Sequence, residues 1–234
     1  MSNQRQKGVP YGYSSTPGSD GSSRTGLIVI GVVVALVLVA GVVALVVTSE
    51  GGQDTASDAV QEQGSVEVSG DPLPQYPSGG GLAADPSTDP AVGTTPPTLT
   101  GEGFDGEPVT IEPGGGTPMV VVFAAHWCPH CQAEIPIIQD WIDEGNLPED
   151  VQVNMVSTGV QADQNNYPPS EWLAQEGWSE QVLLDNPDQS AAQAYGLSGY
   201  PYMVFVDADG EVVQRASGEL PIDQFGSLVD QIAV

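Results

Sequence analysis

The 234 residues hold two cysteines, Cys128 and Cys131, three apart in "AAHWCPHCQAEIP" (124–136). Two are too few to staple a domain, so they read as a local site. An apolar run precedes them and a helical pattern follows, which places Cys128 where a strand hands over to a helix. The first turn of a helix has unpaired N–H groups and the positive end of its dipole. A thiolate is stabilised there and becomes reactive near neutral pH. Pro129 suits the first helical position, because the N–H it lacks would be unpaired anyway. Cys131 lies one turn on, placed to attack a mixed disulfide at Cys128 and release the partner. His130, between them, offers positive charge or a hydrogen bond near the Cys128 sulfur. The chemistry implied is reversible dithiol–disulfide exchange, with no cofactor beyond the pair.

Several elements must position that pair. "EPVTIEP" (107–113) and "PMVVVFAA" (118–125) read as strands, the second fully buried. From Pro129 to about Glu144 the pattern is helical, with Ile135, Ile138, Trp141 and Ile142 on one side. "VQVNMVS" (151–157) is another buried strand, and "QVLLD" (181–185) a short extended piece. "SEWLAQEGW" (170–178) and "DQSAAQAYG" (188–196) read as short helices. Residues 201–218 form two strands around "DADG", whose Asp207 and Asp209 read as turn formers. "PIDQFGSLVDQIAV" (221–234) is an amphipathic last helix. The order implies an α/β domain, a sheet covered on both faces. "YPP" (167–169) reads as an ordinary loop, or as a rim of the substrate groove.

Composition sets the surroundings. The net charge is -27, with 31 acidic residues and four basic ones, Arg5, Lys7, Arg24 and Arg215. That balance argues against nucleic acid and against docking on an anionic membrane surface. Leu27 to Val47 is an uninterrupted apolar stretch without charge, long enough for a bilayer-spanning helix. It exceeds the core of a cleaved signal, so a retained anchor is expected. Three of the basic residues precede it, which keeps residues 1–26 cytoplasmic, as a disordered tail, and sends the rest outside. Residues 48–98, rich in Gly, Pro, Ser, Asp and Thr, read as a disordered extracytoplasmic linker. The folded domain is expected over 99–234. The expected location is the cell membrane, single-pass, with the dithiol outside.

A metal site is the first rival, since His126, Cys128, His130 and Cys131 fall within six residues. Structural zinc draws on two separated ligand pairs, and no second Cys or His pair exists. A second rival is a tethered binding module using the groove near Tyr200.

"VVVFAAHWCPHCQAEIP" resembles the active-site segment of the thioredoxin superfamily: apolar strand, Trp-Cys-x-x-Cys, then a helix interrupted by Pro136. "LSGYPYMVFVDADGEVV" (197–213) is similar to that family's cis-proline loop and strand hairpin. The resemblance spans residues 99–234 and implies a thioredoxin fold, a central mixed sheet flanked by helices. It implies that Pro201 is the cis-proline packed on the cysteines, and that the Tyr200 backbone pairs with an extended substrate. It implies that Trp127 shields the site. The insertion before "LSGYP" is similar to the membrane-anchored TlpA/ResA-like branch. In that branch a Glu at the place of Glu134 tunes the cysteines; on sequence alone Glu134 would be a solvated helix residue. Two departures stand out. Val122 sits where plain thioredoxins carry a buried acid. "CPHC" is the active-site sequence of DsbA-type oxidases, whereas most TlpA-like proteins are reductants. The balance leans to a relatively oxidising couple that exchanges disulfides with protein substrates outside the membrane, recycled by a membrane redox partner. A TlpA/ResA-like reductant, for instance in apocytochrome c maturation, is the alternative. A peroxidase of the shared core would want a nearby Arg, and Arg215 lies far along the chain.

Overall fold

The computed structural model describes residues 60–77, 81–82 and 85–233, all within a unit spanning Ser57–Val234. The expected tail (1–26) and membrane helix (27–47) lie outside the described residues. Among the described residues no helix is long and apolar enough to cross a membrane.

The strands are β1 (Glu67–Ser69), β2 (Gly81–Leu82), β3 (Thr98–Glu102), β4 (Pro108–Ile111), β5 (Met119–Ala124), β6 (Gln152–Ser157), β7 (Gln181–Leu184), β8 (Tyr202–Val206) and β9 (Val212–Ser217). The helices are α1 (Pro129–Asp143), α2 (Pro169–Gln175), α3 (Ser190–Ala194) and α4 (Ile222–Ile232). Six strands form one sheet in the order β2-β9-β8-β5-β6-β7. β5 runs parallel to β6 and antiparallel to β8, so the sheet is mixed. β1, β3 and β4 form a small antiparallel sheet.

Every residue of β5 is buried. Side chains alternate across a strand, so such a strand feeds both faces of its sheet. Val120, Val122 and Ala124 pack with Ile135 and Ile138 of α1 and with Phe225, Val229 and Ile232 of α4. Val121 and Phe123 pack on the other face with Tyr195, Tyr202 and Leu99. α1 forms one element that runs through Pro136, where an interruption was expected. Its C-terminal half stays on the sheet through Ile138, which offsets the hydrogen bond that the proline cannot donate.

The expectation of a disordered linker up to residue 98 is corrected. β1 pairs with β3, and β2 with β9. The Leu73 N–H donates to Ala194 O at 2.8 Å, and that of Tyr76 to Gly196 O at 2.8 Å. Val212 joins this segment by two backbone bonds at 2.9 Å, accepting from the Gly93 N–H and donating to Thr94 O. Leu73, Tyr76 and Ala91 are buried on the second face of the sheet. Gly196, at φ +72°, lets the segment approach: a Cβ there would meet Pro74 O at 2.3 Å. A polar stretch cannot order itself alone. Laid on an existing sheet, it needs only a few apolar anchors and borrowed backbone partners.

The same segment carries Asp89, which pairs with the buried Arg215. Arg215 Nε donates to Asp89 Oδ2 at 2.7 Å and Nη2 to Asp89 Oδ1. Nη1 donates to Pro74 O at 2.7 Å and to the Tyr202 hydroxyl at 3.0 Å. Arg215 is therefore a structural cation, unavailable to any peroxide chemistry.

Candidate active site

Cys128 is the N-cap of α1, with extended backbone (φ -76°, ψ 119°) and Pro129 in the first turn. Its N–H donates to Ala125 O at 2.9 Å, which leaves the sulfur at the start of the helix. Both cysteines are free thiols. Cys128 is 6% exposed and Cys131 0%. The partner thiol thus reaches the surface only through the first.

The Tyr200–Pro201 peptide is cis. It brings Tyr200 O to 3.8 Å from Cys128 Sγ. Trp127 donates from Nε1 to Gly159 O at 2.7 Å and meets the Tyr200 ring edge-on at 5.8 Å. The Tyr200 hydroxyl donates to Gln189 Oε1 at 2.9 Å, and burial raises its pKa to about 12. Gly159, at φ +61°, leaves room for that hydroxyl: a Cβ there would lie 2.7 Å from it. Trp127 and Tyr200 therefore form one wall beside Cys128.

Burial pushes the Cys131 thiol far up, and the adjacent Cys128 and Glu134 push it the same way. A hydrogen bond from the Ala125 backbone opposes this and does not prevail. Cys131 is thus a protonated thiol until a base takes its proton.

Glu134 is the carboxyl whose charge acts on that thiol. It is 3% exposed. Its Oε1 accepts the Leu220 N–H at 2.8 Å, while Oε2 has no hydrogen-bond partner among the described residues. Burial raises this carboxyl to about 7; the Leu220 bond and His130 oppose that rise, and Glu219 adds to it. α1 thus carries a buried carboxyl, whereas β5 has Val122. Glu134 also lines a cleft of about 310 Å³ with Ile137, Leu220 and Ile222.

Of the two expectations for His130, a positive charge or a hydrogen bond near the Cys128 sulfur, the hydrogen bond is directed elsewhere. Its ring Nδ1 meets Glu219 Oε1 at 2.5 Å on the surface, so the hydrogen bond expected toward the Cys128 sulfur goes to a carboxylate. Its electrostatic influence falls on Glu134. His126, weighed above only as a metal ligand, is buried with both ring nitrogens engaged by backbone groups, Nδ1 with Asn165 O at 2.8 Å and Nε2 with the Gln161 N–H at 3.1 Å. The Leu220 N–H, Glu219, Gln189 and Gly159 were not anticipated. They come from loops distant in sequence, and no local pattern marks them.

A sequence profile of the Redoxin family matches residues 91–232. An uncharacterised protein of Haemophilus influenzae is 29% identical over 122 residues, covering 52% of this chain and 77% of its own. The thiol-disulfide oxidoreductase ResA of Bacillus thuringiensis is 21% identical over 141 residues, covering 60% of this chain and 78% of its own. Among solved structures, a DsbF homologue from Corynebacterium diphtheriae matches with a TM-score of 0.53 at 18% identity, covering 69% of this chain and 99% of its own. With its two free thiols on the strand-to-helix turn, the chain belongs to the Redoxin family, as an enzyme of thiol–disulfide exchange on a thioredoxin-like α/β fold.

Proposed function

We propose that the chain is a membrane-anchored, extracytoplasmic oxidoreductase that exchanges disulfides with protein substrates, with a relatively oxidising CPHC couple. One observation carries the exchange chemistry: Cys128 caps α1 beside the Tyr200 carbonyl, and Cys131 lies wholly buried one turn behind it. The apolar stretch Leu27–Val47 supports the anchor, and the basic residues before it support the orientation.

In the oxidising direction a client thiolate attacks Cys128 Sγ of the Cys128–Cys131 disulfide. The S–S bond breaks, and Cys131 leaves as a thiolate. Burial makes that thiolate costly, so it takes the proton held by Glu134. A second client thiolate then attacks the client sulfur of the mixed disulfide, and Cys128 leaves as a thiolate stabilised by the helix start. The client gains one disulfide, and two electrons stay on the dithiol until a membrane redox partner removes them. The Tyr200 backbone pairs with the client segment, Pro201 holds that carbonyl over the sulfur, and Trp127 screens it. His130 acts on the pair through Glu134.

The reductant alternative runs the same steps backwards, with Glu134 accepting the Cys131 proton. A carboxyl near 7 serves both directions, which is what favours keeping this second reading. A glutathione titration of the dithiol decides between them. A midpoint well above that of thioredoxin, which is about -270 mV, is expected; a midpoint at or below it overturns the oxidising assignment.

A further inference from the structure

Two consecutive residues just upstream of the nucleophile hold the two ends of one exposed loop. Trp127 binds Gly159 O, at the start of the loop. His126 binds the stretch that follows: its Nε2 accepts from the Gln161 N–H at 3.1 Å, and its Nδ1 meets Asn165 O at 2.8 Å. A backbone N–H only donates and a carbonyl only accepts, which fixes the tautomer with the proton on Nδ1. The His126 carbonyl in turn accepts from Gln132 Nε2 of α1 at 2.8 Å and from Asn166 Nδ2 at 3.5 Å. One buried residue thus ties the turn 161–165 to the strand end and to the helix that bear the dithiol.

What the turn presents is exposed. Residues 161–166 are solvent-facing and carry amide side chains and a single charge, Asp163. Beyond them Tyr167 is 45% exposed, with its ring edge-on to His126 at 6.0 Å. It is a large aromatic ring left partly in water on the loop that His126 and Trp127 hold. A nearly uncharged turn that carries amide side chains suits an extended polypeptide.

We infer that the 161–167 turn is a docking lip for the client polypeptide, with Tyr167 as its apolar contact and His126 as the positioning residue that pins it beside Cys128. This rests on the dithiol-exchange function proposed above and adds how clients are chosen. The lip engages the unfolded segment next to the client cysteine; a small disulfide does not reach it.

The test uses the full chain and two substrates, insulin and dithionitrobenzoate. The reading is the ratio of the kcat/KM for insulin to the rate with the small disulfide. Tyr167→Ala should lower that ratio about tenfold, through KM. His126→Ala should lower it similarly, and His126→Asn, which keeps a donor near the Nδ1 position, should recover part. In the double variant the two losses should not add, because one residue acts through the other. An unchanged ratio in Tyr167→Ala overturns the lip, whatever happens to His126→Ala. Equal losses on both substrates in His126→Ala overturn its role in client docking. A wild-type chain that turns over neither substrate instead overturns the exchange function itself.

Discussion

Two carboxyl groups lie buried on opposite faces of the sheet, Asp89 and Glu134, each 3% exposed. Burial pushes both upward, yet they end on opposite sides of their ordinary values. Asp89 faces the Arg215 guanidinium and accepts the Ala91 N–H at 3.0 Å, and these hold it below the usual carboxylate range. Glu134 has one N–H on one oxygen and nothing on the other, so burial prevails and it reaches about 7. The same residue chemistry gives a fixed charge where both oxygens are met and a cation faces them, and a raised pKa where one oxygen is left open. The first joins the 60–98 segment to the domain. The second sits beside the dithiol.

The comparison can be broken from either side. Cys128→Ser should remove exchange by at least about ten-thousandfold while leaving urea unfolding near wild type. Parallel loss of activity and stability would mean that the two regions are not separate. Arg215→Met should cost about 3–5 kcal/mol in urea unfolding, since it strands Asp89 without its cation. Adding Asp89→Leu should recover part of that loss. If the single variant unfolds like wild type, the pair is not a structural lock.

Glu134→Gln should slow exchange about a hundredfold, the scale of general acid–base help. It should also flatten the pH dependence of stability. Because the folded carboxyl is raised to about 7, its contribution is full below about 4.5 and is lost as pH rises through about 7. The loss is at most about 3 kcal/mol and should be absent in the Gln variant. The smallest effect belongs to His130→Ala, since the His130 charge acts on Glu134. The couple should become less oxidising by under about 30 mV. A larger shift would place His130 on the sulfur after all.

Much of the architecture was legible because β5 and β8 are continuous apolar runs and α1 repeats Ile135 and Ile138 at helical spacing. The dithiol was legible because Cys128 and Cys131 stand at a strand-to-helix turn. The 60–98 segment was not: Leu73, Tyr76 and Ala91 show no period, and their worth appears only once the sheet they cover exists. Asp89 and Arg215 are 126 positions apart, so no local pattern could pair them. Likewise Glu134 is an ordinary helix residue until Leu220 folds over it. At His130 closeness in sequence to Cys128 did not set where the ring nitrogen bonds, since Nδ1 turns to Glu219.

The most direct test is a carbon-13 NMR titration of the Glu134 side-chain carboxyl in the reduced protein. A midpoint near about 7 is expected, moving when Cys131 is replaced by Ser. A midpoint near 4.5, the ordinary value, with no response to Cys131 would contradict a proton held for the buried thiol.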